Sequence, residues 1–197
     1  KLGWLGALTL DQLQHVSINV THCQVTTTEL SSLLKQMPHL QSFALRDDGS
    51  PYRWNDGIFC IPPLVELREL YIRSNIPTHQ VEVSILPALT RFKFLSARSH
   101  ISSSWLANLA GMTSLEMLTW HGIAMDLLEI THYLPPQLLH FSAIEPTPQP
   151  FSEDFIASVC HNLMKLTQLH TLKLGLFRIT LPEVFIQDER QPTHCHT

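Results

Sequence analysis

Apolar positions along this chain return in a fixed shape. The spacing L-x-x-L-x-L occurs at starting leucines 13, 40, 67, 89, 115, 138 and 169, so successive starts lie 27, 27, 22, 26, 23 and 31 residues apart. Within each copy the last residues alternate. In LQSFAL, Phe43 and Leu45 point one way while Ser42, Ala44 and Arg46 point the other, the period of a half-buried strand. The pattern predicts strands near 14–19, 41–46, 68–73, 90–95, 116–121, 139–143 and 170–175. A second register runs ahead of the first. Three residues before the leading leucine stand Leu10, Met37, Leu64, Leu86, Met112 and Leu166, with Pro135 the exception. Six before it stand Leu34, Ile61, Val83, Leu109 and Leu163. LDQL, MPHL, LVEL, LPAL, MTSL and LTQL are therefore one motif written six ways.

Between the strands lie segments with helical signals. Thr26 stands three residues before Glu29, the spacing of a capping box, and Leu30, Leu33 and Leu34 then share a face. SSSWLANLAG ends on Gly111, AMDLLEITHYL stops before Pro135, and SEDFIASVCHNLMKL is the longest such run. The 22-residue spacing leaves room for a turn or two only. Two connections break the pattern. RDDGSPYRWNDGIFC (46–60) is turn-rich and carries Tyr52 and Trp54, and IEPTPQP (144–150) is a proline-stiffened connector.

Recurrence at this period matters more for the fold than any single motif. From about residue 5 to 181 the chain resembles the leucine-rich repeat family. The resemblance implies an α/β fold: a leucine-rich-repeat solenoid with a curved parallel sheet on the concave face and mixed helices and loops on the convex face. It spans residues 1–185 in about seven units, with 186–197 a polar tail. The mixed returns are similar to the helix-backed arrays of F-box and ribonuclease-inhibitor-like proteins, but no F-box helix bundle accompanies them. The family's Asn or Cys at the ninth position appears only as Asn75. Thr21, Asp48, Ala97, Ile123, Pro146 and Phe177 hold it elsewhere, so irregular turns are expected.

Composition narrows the function classes without choosing one. The 197 residues are 44% apolar and 15% charged, with a net charge of −4, which argues against a generally nucleic-acid-binding surface. No apolar run reaches the length needed to cross a bilayer, and the start carries no signal-peptide pattern. Lys1 is not an initiator methionine, so a fragment of a longer array is expected. Cys23, Cys60, Cys160 and Cys195 are scattered and form no C-x-x-C pair; buried free thiols in a reducing compartment are expected, and with them a cytoplasmic setting. The sequon Asn19-Val20-Thr21 points the other way.

Candidate chemistry is sparse. His194-Cys195-His196 puts three donors side by side on a tail, a poor geometry for a closed metal site. Asp47-Asp48-Gly49 and Asn55-Asp56-Gly57 lack the alternating ligands of a calcium loop and read as turns. There is no phosphate-binding G-x-x-x-x-G-K motif, and no convergent nucleophile and base. No cofactor, no metal and no catalysis are expected.

The outward strand positions stand out. Units two to four put Arg46, Arg73, Arg91 and Lys93 on one face with Tyr71, opposed only by Glu69, a local inversion of sign in an acidic chain. His121 and His140 extend the face. These eight residues are the expected binding site, for a protein partner with an acidic surface. The expected function is a protein–protein interaction module, possibly recruiting a substrate. The alternative is the recognition segment of a ubiquitin-ligase-type enzyme or an innate-immune receptor whose active domain lies outside this chain.

Overall fold

The computed structural model describes residues 10–21, 25–47, 57–74, 80–95, 103–122, 124–144 and 152–175. A 3-10 turn at Leu10–Gln12 leads into β1 (His15–Asn19), followed by α1 (Thr27–Leu34), β2 (Ser42–Arg46), β3 (Phe59–Ile61) and β4 (Glu69–Arg73). Then come β5 (Val81–Val83), β6 (Arg91–Leu95), α2 (Ser103–Ala110), β7 (Met117–His121), α3 (Ala124–Tyr133), β8 (His140–Ile144), α4 (Glu153–Leu163) and β9 (Thr171–Gly175).

β1, β2, β4, β6, β7, β8 and β9 form one sheet in chain order, and every neighbouring pair is parallel. Equivalent residues of successive units are hydrogen-bond neighbours. One inward row reads Val16, Phe43, Leu70, Phe92, Leu118, Phe141 and Leu172; the next reads Ile18, Leu45, Ile72, Phe94, Trp120, Ala143 and Leu174. A parallel strand must be followed by a return to the starting edge. The returns pack in the same order as the strands: α1 on β3, β3 beside β5, β5 on α2, α2 on α3 and α3 on α4.

The tetrapeptide motif is a turn. In all seven units the amide of its fourth residue donates to the carbonyl of its first, from Leu13 to Leu10 through Leu169 to Leu166, at 3.0–3.2 Å. Pro135, the exception in sequence, keeps this bond because only a carbonyl is required there: the Leu138 amide donates to Pro135 at 3.1 Å. Just past each turn after the first, amides donate to the preceding unit, as from Gln41 to Gln14, Arg68 to Gln41 and Thr90 to Arg68.

Burial follows the register. Leu40, Phe43, Leu45, Leu67, Leu70, Ile72, Leu89, Phe92, Phe94, Leu115, Leu118 and Trp120 are fully enclosed. An aromatic cluster closes the middle, with Phe94 stacked on Trp120 at 4.8 Å and Trp105 6.0 Å from Phe92, Phe94 and Trp120. Gly122 lies so close that a Cβ there would come within 2.6 Å of the Trp120 indole nitrogen.

The helices start where capping chemistry allows. Thr26 Oγ1 accepts from the Glu29 amide at 3.0 Å while Glu29 Oε2 accepts from the Thr26 amide at 3.1 Å, a complete capping box on α1. Ser152 caps α4 through the Phe155 amide. Few polar contacts tie the returns together. Ser31 Oγ accepts from the Cys60 amide at 2.8 Å, and Asn162 donates to Thr131 at 3.3 Å.

Three expectations change. The 46–60 connection is not loop to its end, because Phe59–Ile61 forms β3 and pairs in parallel with Val81–Val83. Ile61 and Val83 thus occupy, on strands, the register place that Leu34, Leu109 and Leu163 occupy on helices. Neither described thiol is buried: Cys60 is half-buried and Cys160 exposed, and both are free. Burial in β9 is incomplete, with Leu172 46% exposed in a row where Phe43, Leu70, Phe92, Leu118 and Phe141 are closed and Val16 is half-buried. No helix of the described residues is long and apolar enough to cross a membrane. Cys23, Cys195, the ninth positions other than Thr21, and the 186–197 tail lie outside the described residues.

Candidate functional site

The face of the seven-stranded sheet opposite the core carries three rows of side chains, because alternate strand residues point the same way. The first row is His15, Ser42, Glu69, Arg91, Met117, His140 and Thr171. The second is Ser17, Ala44, Tyr71, Lys93, Thr119, Ser142 and Lys173, and the third Asn19, Arg46, Arg73, Leu95, His121, Ile144 and Gly175.

Six of the eight expected residues come together on the adjacent strands β2, β4 and β6. Tyr71 is half-buried at the centre, while Arg46, Glu69, Arg73, Arg91 and Lys93 are exposed around it. The Arg46 guanidinium carbon lies over the Tyr71 ring, 5.6 Å from its centroid, and Lys93 Nζ lies over it at 5.3 Å. Each contact of this kind contributes about 0.5–1 kcal/mol at an exposed site. Arg91 Nη1 meets Glu69 Oε1 at 3.2 Å, with both side chains more than half exposed. Solvent screening holds such a pair to between nothing and about 1 kcal/mol. Four cations against one carboxylate leave +3 on three strands, in a chain of net charge −4.

Small neighbours make room around the ring. Ser42, Ala44 and Thr119 flank the larger side chains and leave a depression of about 440 Å³ that Arg46, Tyr71, Lys93 and Met117 also line. A second depression of about 310 Å³ adjoins it at the starting edge of the strands, walled by His15, Gln41, Arg68, Thr90 and Glu116. The sequence rows carried the signal for the first depression, since the register neighbour of Tyr71 on β2 is the small Ala44. The second draws on residues just before the strands, which the period-2 pattern does not assign to the face.

The two histidines stand apart. His121 is one strand beyond Lys93, half-buried, with its pKa held below the ordinary 6.5 by burial first and by the Lys93 ammonium second. His140 lies on β8, two strands from the cations and at the opposite end of its strand from the His121 row. Neither joins the Tyr71 cluster.

Elsewhere, Cys60 Sγ sits 3.5 Å from Glu82 Oε2. Burial and that carboxylate push its thiol up, so it is a weak nucleophile at neutral pH. Among the described residues, no three of His, Cys, Asp and Glu are grouped as a metal site. His194-Cys195-His196, Asp48 and Asp56 lie outside the described residues. No protein-family model matches the chain, and no curated protein matches it.

Proposed function

We propose that the chain is a leucine-rich-repeat solenoid, and that the outward face of its strands is a docking surface for a protein with an acidic surface. The repeated turn from Leu10 to Leu169, the parallel strands in chain order and the returns packed in that same order support the solenoid. The observation that carries the docking reading is the +3 cluster gathered around one half-buried tyrosine. An aromatic ring supplies rigid apolar contact area, and arginines beside it are the residue type that anchors interfaces. The charges are spread over three adjacent strands, about one to two Debye lengths at physiological salt, so a partner close to the face meets their combined field. In this reading the chain binds and does no chemistry on its partner, which suits a substrate-recruiting part of a larger protein. The free thiols of Cys60 and Cys160 suit a reducing, intracellular setting.

The test is a change of sign at the face. Arg73 and Arg91 are both exposed, and exposed substitutions usually shift stability by no more than about 0.5 kcal/mol. Wild-type protein and the Arg73→Glu, Arg91→Glu double variant should unfold at nearly the same temperature. Immobilised and exposed to cell lysate, the wild type should retain partners that mass spectrometry finds missing from the variant. Recovery of the same partners in equal amount would overturn the reading.

A further inference from the structure

We infer that the Tyr71 cluster recognises two anionic side chains of one extended segment, one on each side of the ring, so that spacing and not total charge sets its preference. The inference rests on the docking reading above and specifies its ligand. β2 and β6 flank β4 on opposite sides. Arg46 therefore approaches Tyr71 from one side and Lys93 from the other, and both lie over the ring. With centroid distances of 5.6 and 5.3 Å, the two cationic centres can be no more than about 11 Å apart. Their origins lie two strand spacings of about 4.8 Å each across the sheet and two residues, about 6.6 Å, along it, so they are about 11–12 Å apart and the side chains converge on the ring.

Neither cation has a carboxylate partner among the described residues. The ring attracts them through its quadrupole but neutralises no charge, so their N–H groups remain able to donate. Arg91 differs, since Glu69 already holds it. Charge-assisted N–H···O contacts are only about 2.7–2.9 Å long, so a single carboxylate reaches both cations only if they lie well inside the 11 Å limit, whereas two carboxylates serve them across its whole range. In a fully extended segment, residues i and i+2 share a side and stand about 6.6 Å apart. In a polyproline-type segment, residues i and i+3 share a side at about 9.3 Å. Side-chain reach brings both spacings onto the two cations. Adjacent acids point to opposite sides, and widely separated ones overshoot.

The shape of the face agrees. Ala44 and Lys93 are the register neighbours of Tyr71 in the second row, with Thr119 beyond. The ring thus has low ground on its Ala44 side and Lys93 on the other, in a depression of about 440 Å³ that both line. A chain crossing the strands would straddle the ring. Glu69, in the first row, would repel a third acid placed toward the starting edge of the strands.

Fluorescein-labelled, end-capped peptides of serine and glycine carrying two glutamates test this by fluorescence anisotropy at low ionic strength. The glutamates are set adjacent, at i and i+2, at i and i+3, or at i and i+7. The second contact of a matched pair is intramolecular and adds at most what one exposed ion pair contributes, so the i+2 or i+3 peptides should bind about threefold to fivefold more tightly than the other two. Arg46→Gln and Lys93→Gln, both at exposed positions, should each erase that preference while lowering the unfolding temperature by no more than about 4 °C, the loss of one contact over the ring. Equal affinity for all four peptides, a preference that survives both substitutions, or no binding of any peptide would overturn the inference. A partner lost on the double change at Arg73 and Arg91, together with any of those results, would leave the docking reading standing and this inference refuted.

Discussion

At the scale of single residues, the outward face is governed by what each side chain lacks. Arg46 and Lys93 lack a carboxylate among the described residues, Ala44 lacks bulk, and His121 lacks enough water to carry a charge easily. The last has a measurable consequence. The folded pKa of His121 lies below 6.5, so between the two values the unfolded chain binds a proton that the folded chain refuses. Its contribution to stability is complete above pH 6.5 and is lost as pH falls through the folded value. Denaturant titrations above and below that pH should show wild type losing more stability on acidification than His121→Gln. Equal losses would mean that the imidazole is as well solvated in the folded protein as in the unfolded one. The identities of the face residues were legible from strand alternation alone. The cause of the His121 shift was not, because burial and the nearness of Lys93 arise from strands that only the fold brings side by side.

At the scale of elements, the tetrapeptide turn and the strand after it form the repeating device. The turn needs an acceptor carbonyl at its first place and a donor amide at its fourth, which is why proline serves at 135 but would not at 138, where burial calls for leucine. The strand then needs apolar residues at two alternate places and a neighbour on each side to enclose them. Leu118 and Leu172 occupy the same place, 1% and 46% exposed respectively. Leu118→Ala should cost about 2–5 kcal/mol through lost burial and a cavity. Leu172→Ala should cost less than half as much, because much of its surface already meets water. Urea titrations of the two variants check the difference, and equal losses would contradict the observed burial. From the sequence these leucines have the same status, since periodicity reports which face a residue takes and not how much of it other residues cover.

At the scale of the molecule, charge is unevenly spread: +3 over three strands of a protein that is −4 as a whole. Attraction of a partner to that face should therefore be steered by electrostatics. Association rates measured by surface plasmon resonance for a partner recovered on the wild-type protein should fall steeply as salt rises, with a smaller change in dissociation. A rate indifferent to salt would mean that apolar contact at Tyr71, and not the cations, brings the partner in.

The order and direction of the principal strands were determined by the sequence itself. A period of two fixes which residues of each segment face inward, and the recurrence of one turn motif at 22 to 31 residues brings equivalent strands together in turn. The capping box on α1 was equally local, being a contact between residues three apart. The β3–β5 pairing could not be read this way. Phe59–Ile61 and Val81–Val83 are three residues each, too short for a periodic signal, and they become strands because each offers the other a backbone partner. The straddling of Tyr71 by Arg46 and Lys93 likewise belongs to the tertiary structure: residues 25 and 22 positions away in the chain reach one ring only because parallel pairing lays their strands on either side of it.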